Sequence, residues 1–262
     1  MKKIITIALA QLIAALAFSC GGGGETDQTK QTAPKTESAA ETGAYKAVAV
    51  TDGGSITGRV TFSGAVPPKQ KLEVTKDVAV CSKEPHYKED LVVSSSNGLA
   101  NVVVSISNIS AGKDLSSLGT TFAIDQNGCA FKPHVVLIPT GAELTIKNSD
   151  GILHNIHTYS ELNSPVNVAQ PGFNKEMKQT FDQAEFIRVT CDVHNWMGAY
   201  VCVVDHPYYV VTDSEGNFEL IDVPAGTYSV EFWQESLGKK SMEVTVTAGA
   251  AAEANMEFTV GS

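Results

Sequence analysis

Phe186-Ile-Arg-Val-Thr-Cys191-Asp-Val-His194-Asn-Trp-Met197-Gly-Ala-Tyr-Val-Cys202-Val-Val204 is the stretch on which the fold turns. Two short runs rich in Val, Ile and aromatic residues, Phe186–Cys191 and Ala199–Val204, flank a loop of polar and turn-forming residues. Runs of this length, bounded in this way, read as β-strands. The same pattern continues outward on both sides, in Ser55–Phe62, Asn101–Ser107, His134–Ile138 and Glu143–Lys147, then in Phe218–Ile221, Thr227–Trp233 and Met242–Val246. Gly, Pro, Asn and Asp clusters separate the runs, and beyond Gly53 no amphipathic stretch carries both a helix start and a helix stop. The expected class is all-β, with sandwiches rather than βαβ units.

Two pieces resemble one known module. Ser55-Ile-Thr-Gly-Arg-Val-Thr-Phe62 is similar to the opening strand of the carboxypeptidase-regulatory-like (transthyretin-like, Ig-like) β-sandwich. Val211-Thr-Asp-Ser-Glu-Gly-Asn-Phe218 and Val223-Pro-Ala-Gly-Thr-Tyr228 are similar to its closing part. The turn residues have physical reasons to be there. Asp213 and Gly216 suit a tight hairpin, Pro224 and Gly226 a second turn, and Phe218 and Tyr228 fill one core. In an ordinary member the Asn101–Ile106 run would lead almost directly into that hairpin, but here a long stretch intervenes. The resemblance implies a sandwich of residues 53–110 plus 207–262, with a second β-domain, residues 111–206, inserted in one of its turns. Insertion there is tolerated because closure entropy grows slowly with loop length. Two sandwiches in tandem are the alternative.

The chemistry is concentrated in the inserted stretch. Cys191, His194 and Met197 are spaced C-x2-H-x2-M, and Asn148-Ser-Asp150-Gly-Ile-Leu-His154-Asn155 lies upstream. A thiolate, two imidazoles and a thioether form a soft donor set that selects copper over Mg²⁺ or Ca²⁺. Cys191 would end a strand, so one short loop can offer three donors while His154 reaches in from another strand. The segment resembles a Greek-key cupredoxin, and its two-residue gaps are most similar to amicyanin, plastocyanins having longer ones. The resemblance implies one type 1 copper ion held by His154, Cys191, His194 and Met197. It also implies that Asn155 hydrogen-bonds across to the Cys loop and that Pro139-Thr-Gly141 is the turn setting the next strand.

Other readings use the same residues. A zinc site would take His154, His157, Cys191 and His194, but residues three apart on a strand point to opposite faces, which sends His157 to solvent. A Cys–His hydrolase pair lacks an orienting third group. A binuclear copper centre needs a second cysteine in the loop, and the next one is Cys202. Trp196 is either an apolar rim around an exposed His194 edge or a ring covering the end of the sandwich. His86, His134 and His206 have no ligand spacing.

At the start of the chain, Lys2 and Lys3 precede the apolar run Ile4–Phe18, which at about 1.5 Å per residue is too short to span a core of roughly 30 Å. It reads as an export signal over residues 1–19. Leu16-Ala-Phe-Ser-Cys20 resembles a bacterial lipobox, which implies lipidation of Cys20, a membrane anchor and a place in the cell envelope, periplasmic or at the outer membrane. Residues 20–52 are rich in Gly, Thr, Lys, Glu, Gln and Ala, with Tyr45 as their only aromatic, and read as a flexible tether. The net charge of −10 repels phosphate backbones and excludes nucleic acid. Of five cysteines, Cys20 goes to lipid and Cys191 to metal. Cys202 reads as a thiol buried in a strand, which leaves Cys81 and Cys129 to form a disulfide outside the cytoplasm.

The function expected from all this is single-electron transfer, without catalysis, between redox proteins such as a cytochrome or a dehydrogenase. A copper-holding or delivery role and a surface interaction module are the alternatives.

Overall fold

The computed structural model describes residues 44–260; the expected signal 1–19, Cys20 and the first part of the tether lie outside the described residues. The protein is all-β. Among the described residues, helix is confined to Val78–Cys81 and the 3₁₀ turn Leu115–Leu118. No helix there is long and apolar enough to cross a membrane.

Strands between Phe122 and Val204 form two sheets. One has five strands, in the order Asn167–Gln170, His154–Tyr159, Glu185–Thr190, Gly198–Val204 and Val135–Pro139. The other has four, in the order Glu176–Thr180, Glu143–Asn148, Phe122–Gln126 and Phe131–Lys132. Period-two alternation decides what lies between them. Ile187 and Val189 point inward, opposite Val201 and Ala199 in register, and the next residue on that face is Cys191. His154, Ile156 and Thr158 alternate as buried residues on one face of their strand, so His154 joins the same interior.

The remaining strands form a second pair of sheets. Val103–Ile106 lies between Tyr209–Val211 and Gly226–Gln234, which in turn pairs with Gly238–Val246. Opposite it, Gly54–Ser63 pairs with Asn217–Val223, Ala251–Glu253 and Met256–Thr259. Strands from before and after the 122–204 stretch thus share one sheet. The Asp213 turn forms for the expected reason: Asp213 Oδ1 accepts from the N–H groups of Glu215 and Asn217, and Gly216 takes φ +81°. The core here is aliphatic and aromatic, centred on Ile56, Val60, Leu99, Val104, Phe218 and Phe232.

Outward residues of the five-stranded sheet, Phe186, Tyr200 and Cys202, pack with Val103, Tyr209 and Trp233 of the neighbouring sheet. The rings meet edge to face, with Trp233 5.0 Å from Phe186 and 4.9 Å from Tyr200. Cys202 is a free, fully buried thiol in this seam.

The tether ends before residue 52. Lys46–Ala47 pairs in parallel with Ala111–Gly112, and Tyr45 packs against the aliphatic core while its hydroxyl donates to the Lys113 carbonyl at 2.6 Å. A lone aromatic in a polar segment gains most by docking on the folded surface it can reach.

Candidate metal centre

His154, Cys191 and His194 converge at one end of the five-stranded sheet. Their Sγ and Nδ1 atoms lie 3.8 Å apart for Cys191–His154 and 3.8 Å for Cys191–His194, with 2.9 Å between the two Nδ1 atoms. All three side chains are buried, at 0%, 1% and 0% exposure. An S···N separation of 3.8 Å is what bonds of about 2.3 and 2.0 Å span when they open near 120°. The donor set therefore fits a small soft cation.

Each imidazole is tied off on its far side. His154 Nε2 donates to Asp150 Oδ2 at 2.9 Å, and His194 Nε2 donates to Asp77 Oδ2 at 2.9 Å. Both rings are thereby oriented with Nδ1 toward the thiol, the arrangement that metal-binding histidines adopt. Asp150 also accepts from the N–H groups of Gly128 and Cys129 at 2.6 and 2.8 Å. Its loop is shaped by Asn148, whose amide donates to the Ile152 and Gln170 carbonyls and whose Oδ1 accepts from Gly151. Gly172 packs on that loop so closely that a Cβ would stand 2.0 Å from the Gly151 oxygen.

Asn155 links the strand to the cysteine loop. Its N–H points at Cys191 Sγ from 3.4 Å, and its Oδ1 accepts from the Asp192 N–H. Met197 is buried in the same cluster, and its N–H donates to the His194 carbonyl, closing the loop.

Burial and the neighbouring charged groups set the proton affinities of the three donors. Burial works against an imidazolium at His154, yet Asp150 and the Cys191 sulfur outweigh it and raise its pKa to about 9. Burial raises the Cys191 thiol, but His154 and surrounding N–H groups hold it below its ordinary value. Burial lowers His194.

One expectation about the loop is corrected and one open alternative is decided. His194 has no exposed edge: its ring is buried, and Asp77 occupies its outer nitrogen. Trp196 is the covering ring, 5.1 Å from the His194 ring, with its Nε1 donating to the Cys129 carbonyl. His157 lies on the opposite face from His154, half-buried, with its Nδ1 2.9 Å from Asp192 Oδ1 and its ring stacked on Tyr159. Cys81 and Cys129 are joined as a disulfide. Among the remaining histidines, His86 contacts the Cys81 carbonyl, His134 lies between Glu89 and Glu235, and His206 packs among Tyr45, Tyr208 and Tyr209. Asp77 was missed altogether, and Asp150 was noted only as part of a pattern. The spacing of carboxylate and histidine at i and i+4 was the one available signal for Asp150.

A family model described as the carboxypeptidase regulatory-like domain matches residues 196–259. The match begins in the cysteine loop, takes in a strand of the five-stranded sheet and leaves out Gly54–Ser63, the central strand of the other sandwich. No curated protein matches the sequence. Among solved structures the chain is similar to a copper-containing nitrite reductase from Thermus scotoductus, at 19% identity over 32% of this chain and 22% of that one, with a TM-score of 0.30. It thus spans about a fifth of that enzyme's length. It is similar to a mutant of amicyanin in its Cu(I) state, at 16% identity over 33% of this chain and 84% of that one, TM-score 0.30. A purple cupredoxin from Nitrosopumilus maritimus is similar at 19% identity over 32% of this chain and 99% of that one, TM-score 0.28.

Proposed function

We propose that the chain is a lipid-anchored, extracytoplasmic type 1 copper protein that passes single electrons between redox proteins. The observation that carries this reading is the buried convergence of one thiol and two imidazole Nδ1 atoms, each ring anchored through its other nitrogen by a carboxylate. Cys191, His154 and His194 would hold the ion, with the buried Met197 thioether as a further soft donor. When bound there, copper supplies one-electron redox chemistry. The residues hold the donors in place so that little rearranges between redox states: Asp150 and Asp77 fix the rings, and Asn155 fixes the cysteine loop. No substrate is transformed, so the chain is a carrier rather than an enzyme. The acidic balance suits a partner with a basic patch, such as a cytochrome or a dehydrogenase.

A visible and electron-paramagnetic-resonance spectrum of the purified, copper-loaded protein tests the reading. Intense colour with a narrow copper hyperfine splitting is expected; a colourless copper-loaded protein overturns it. A copper-holding role is the second reading, favoured by the covered His194 edge. Electron exchange with a cytochrome, set against metal transfer to an apo-acceptor, separates the two.

A further inference from the structure

Trp196 covers one side of His194, and the rest of the cover comes from outside the sandwich that supplies the donors. The chain between Gly54–Ser63 and Val103–Ile106 reaches across as a narrow antiparallel arm, in which Leu72 N–H donates to the His86 carbonyl and Lys88 N–H to the Gln70 carbonyl. Its tip is the Val78–Cys81 turn, joined by Cys81–Cys129 to the loop that also receives Trp196. Val74 and Val80 of the arm pack against the core cluster that contains Cys191 and Met197.

Asp77 stands just before that turn, with φ 48° and ψ 41°. Aspartate is one of the few residues with a Cβ that visits the left-handed region, helped by local hydrogen bonds from its short side chain. An aspartate in this position ordinarily caps the helix by accepting from its own N–H groups. Asp77 makes no such bond, and its carboxylate instead meets His194 Nε2 at 2.9 Å.

We propose that Asp77 is the positioning residue for His194, delivered by a disulfide-pinned arm that closes this imidazole edge to partner proteins and small external ligands. The inference rests on the copper reading only for its redox consequences; the closure itself is a property of the metal-free chain.

The test uses the full chain and the variants Asp77→Ala and Asp77→Asn. In metal-free protein, diethyl pyrocarbonate labelling mapped by peptide mass should leave His194 unmodified while labelling half-exposed His157. In Asp77→Ala, His194 should be labelled at a rate approaching that of His157. In copper-loaded protein, either variant should bind cupric ion about 10–100-fold more weakly. The reduction potential should rise by about 59 mV for each tenfold loss of cupric over cuprous affinity. Should Asp77→Ala not fold, the isosteric Asp77→Asn carries the test through affinity and potential. A coloured parent protein whose Asp77 variants keep the parent potential and His194 protection overturns the inference. A colourless parent whose His194 is still uncovered by Asp77→Ala overturns the copper reading and leaves the cover standing.

Discussion

The two sandwiches are built by the same alternation and differ in what they bury. In the one containing Gly54–Ser63, the interior is apolar, and its buried polar side chains, such as Thr212 and Gln234, only join strands and turns. In the other, Gln126, Asn148, His154, Asn155, Gln170 and His194 are buried. They form connected networks: Gln126 donates to Gln170, Gln170 to the Ile146 and Asn174 carbonyls, and Asn148 to the Gln170 carbonyl. A buried polar group without a partner is costly, and these bonds satisfy most of the buried groups, though Gln126 Oε1 has no partner. The difference separates a scaffold from a site.

The largest test of that division is Cys191→Ser. It should abolish the colour of the copper-loaded protein completely while leaving the β-type circular dichroism unchanged; retained colour would place the site elsewhere. The converse change is Phe232→Ala, which removes a fully buried ring 5.7 Å from that of Phe218. It should cost about 3–5 kcal/mol in chemical denaturation while the still-folded fraction keeps its colour. Loss of colour at temperatures where the variant remains folded would mean that the two sandwiches are not separable.

A third test lies where they meet. His134 precedes the strand Val135–Pro139 and contacts Glu235, in the hairpin turn of the other sandwich, with Glu89 3.6 Å away. Burial disfavours its charge, but Glu235 and Glu89 outweigh this and raise its pKa to about 9. The folded value lies above the unfolded one of about 6.5, so the stabilisation is complete below roughly pH 6.5 and is lost as pH rises through about 9. The contribution is on the order of 3 kcal/mol. Denaturation midpoints of the parent should fall across this window, and those of His134→Gln should fall less steeply, keeping the share that His154 contributes over the same range; parallel curves would refute the contact's role.

The smallest effect belongs to Thr212→Val. The Thr212 hydroxyl donates to the Leu99 carbonyl and accepts from Val102 N–H, both buried. Losing it should cost about 1–3 kcal/mol by equilibrium denaturation and leave the spectrum of the loaded protein unchanged.

Much of this was legible because it is local. Alternation over strands such as Glu185–Thr190 carries the all-β class, and it also dictates that Cys191 follows Ile187 and Val189 to the inside. Cys191, His194 and Met197 share a single loop, so their spacing was visible as a motif. The cover was not legible. Asp77 and His194 are separated by 117 positions, and residues 71–90 have no period that predicts where they pack. Exposure of His194, expected from its place in a surface loop, was lost to a segment that sequence spacing cannot aim. Tyr45 was read as part of the flexible tether, and only the structure places it among Lys113, Tyr208 and His206.

The chain's two tryptophans fall one to each zone of interest. The Trp196 ring stands 5.1 Å from that of His194, within reach of efficient quenching by a bound cupric ion, whereas Trp233 is wedged between Phe186 and Tyr200 in the seam. Intrinsic emission therefore offers two reporters without any label. Removing either indole leaves a lamp that follows loading alone or loosening of the joint alone.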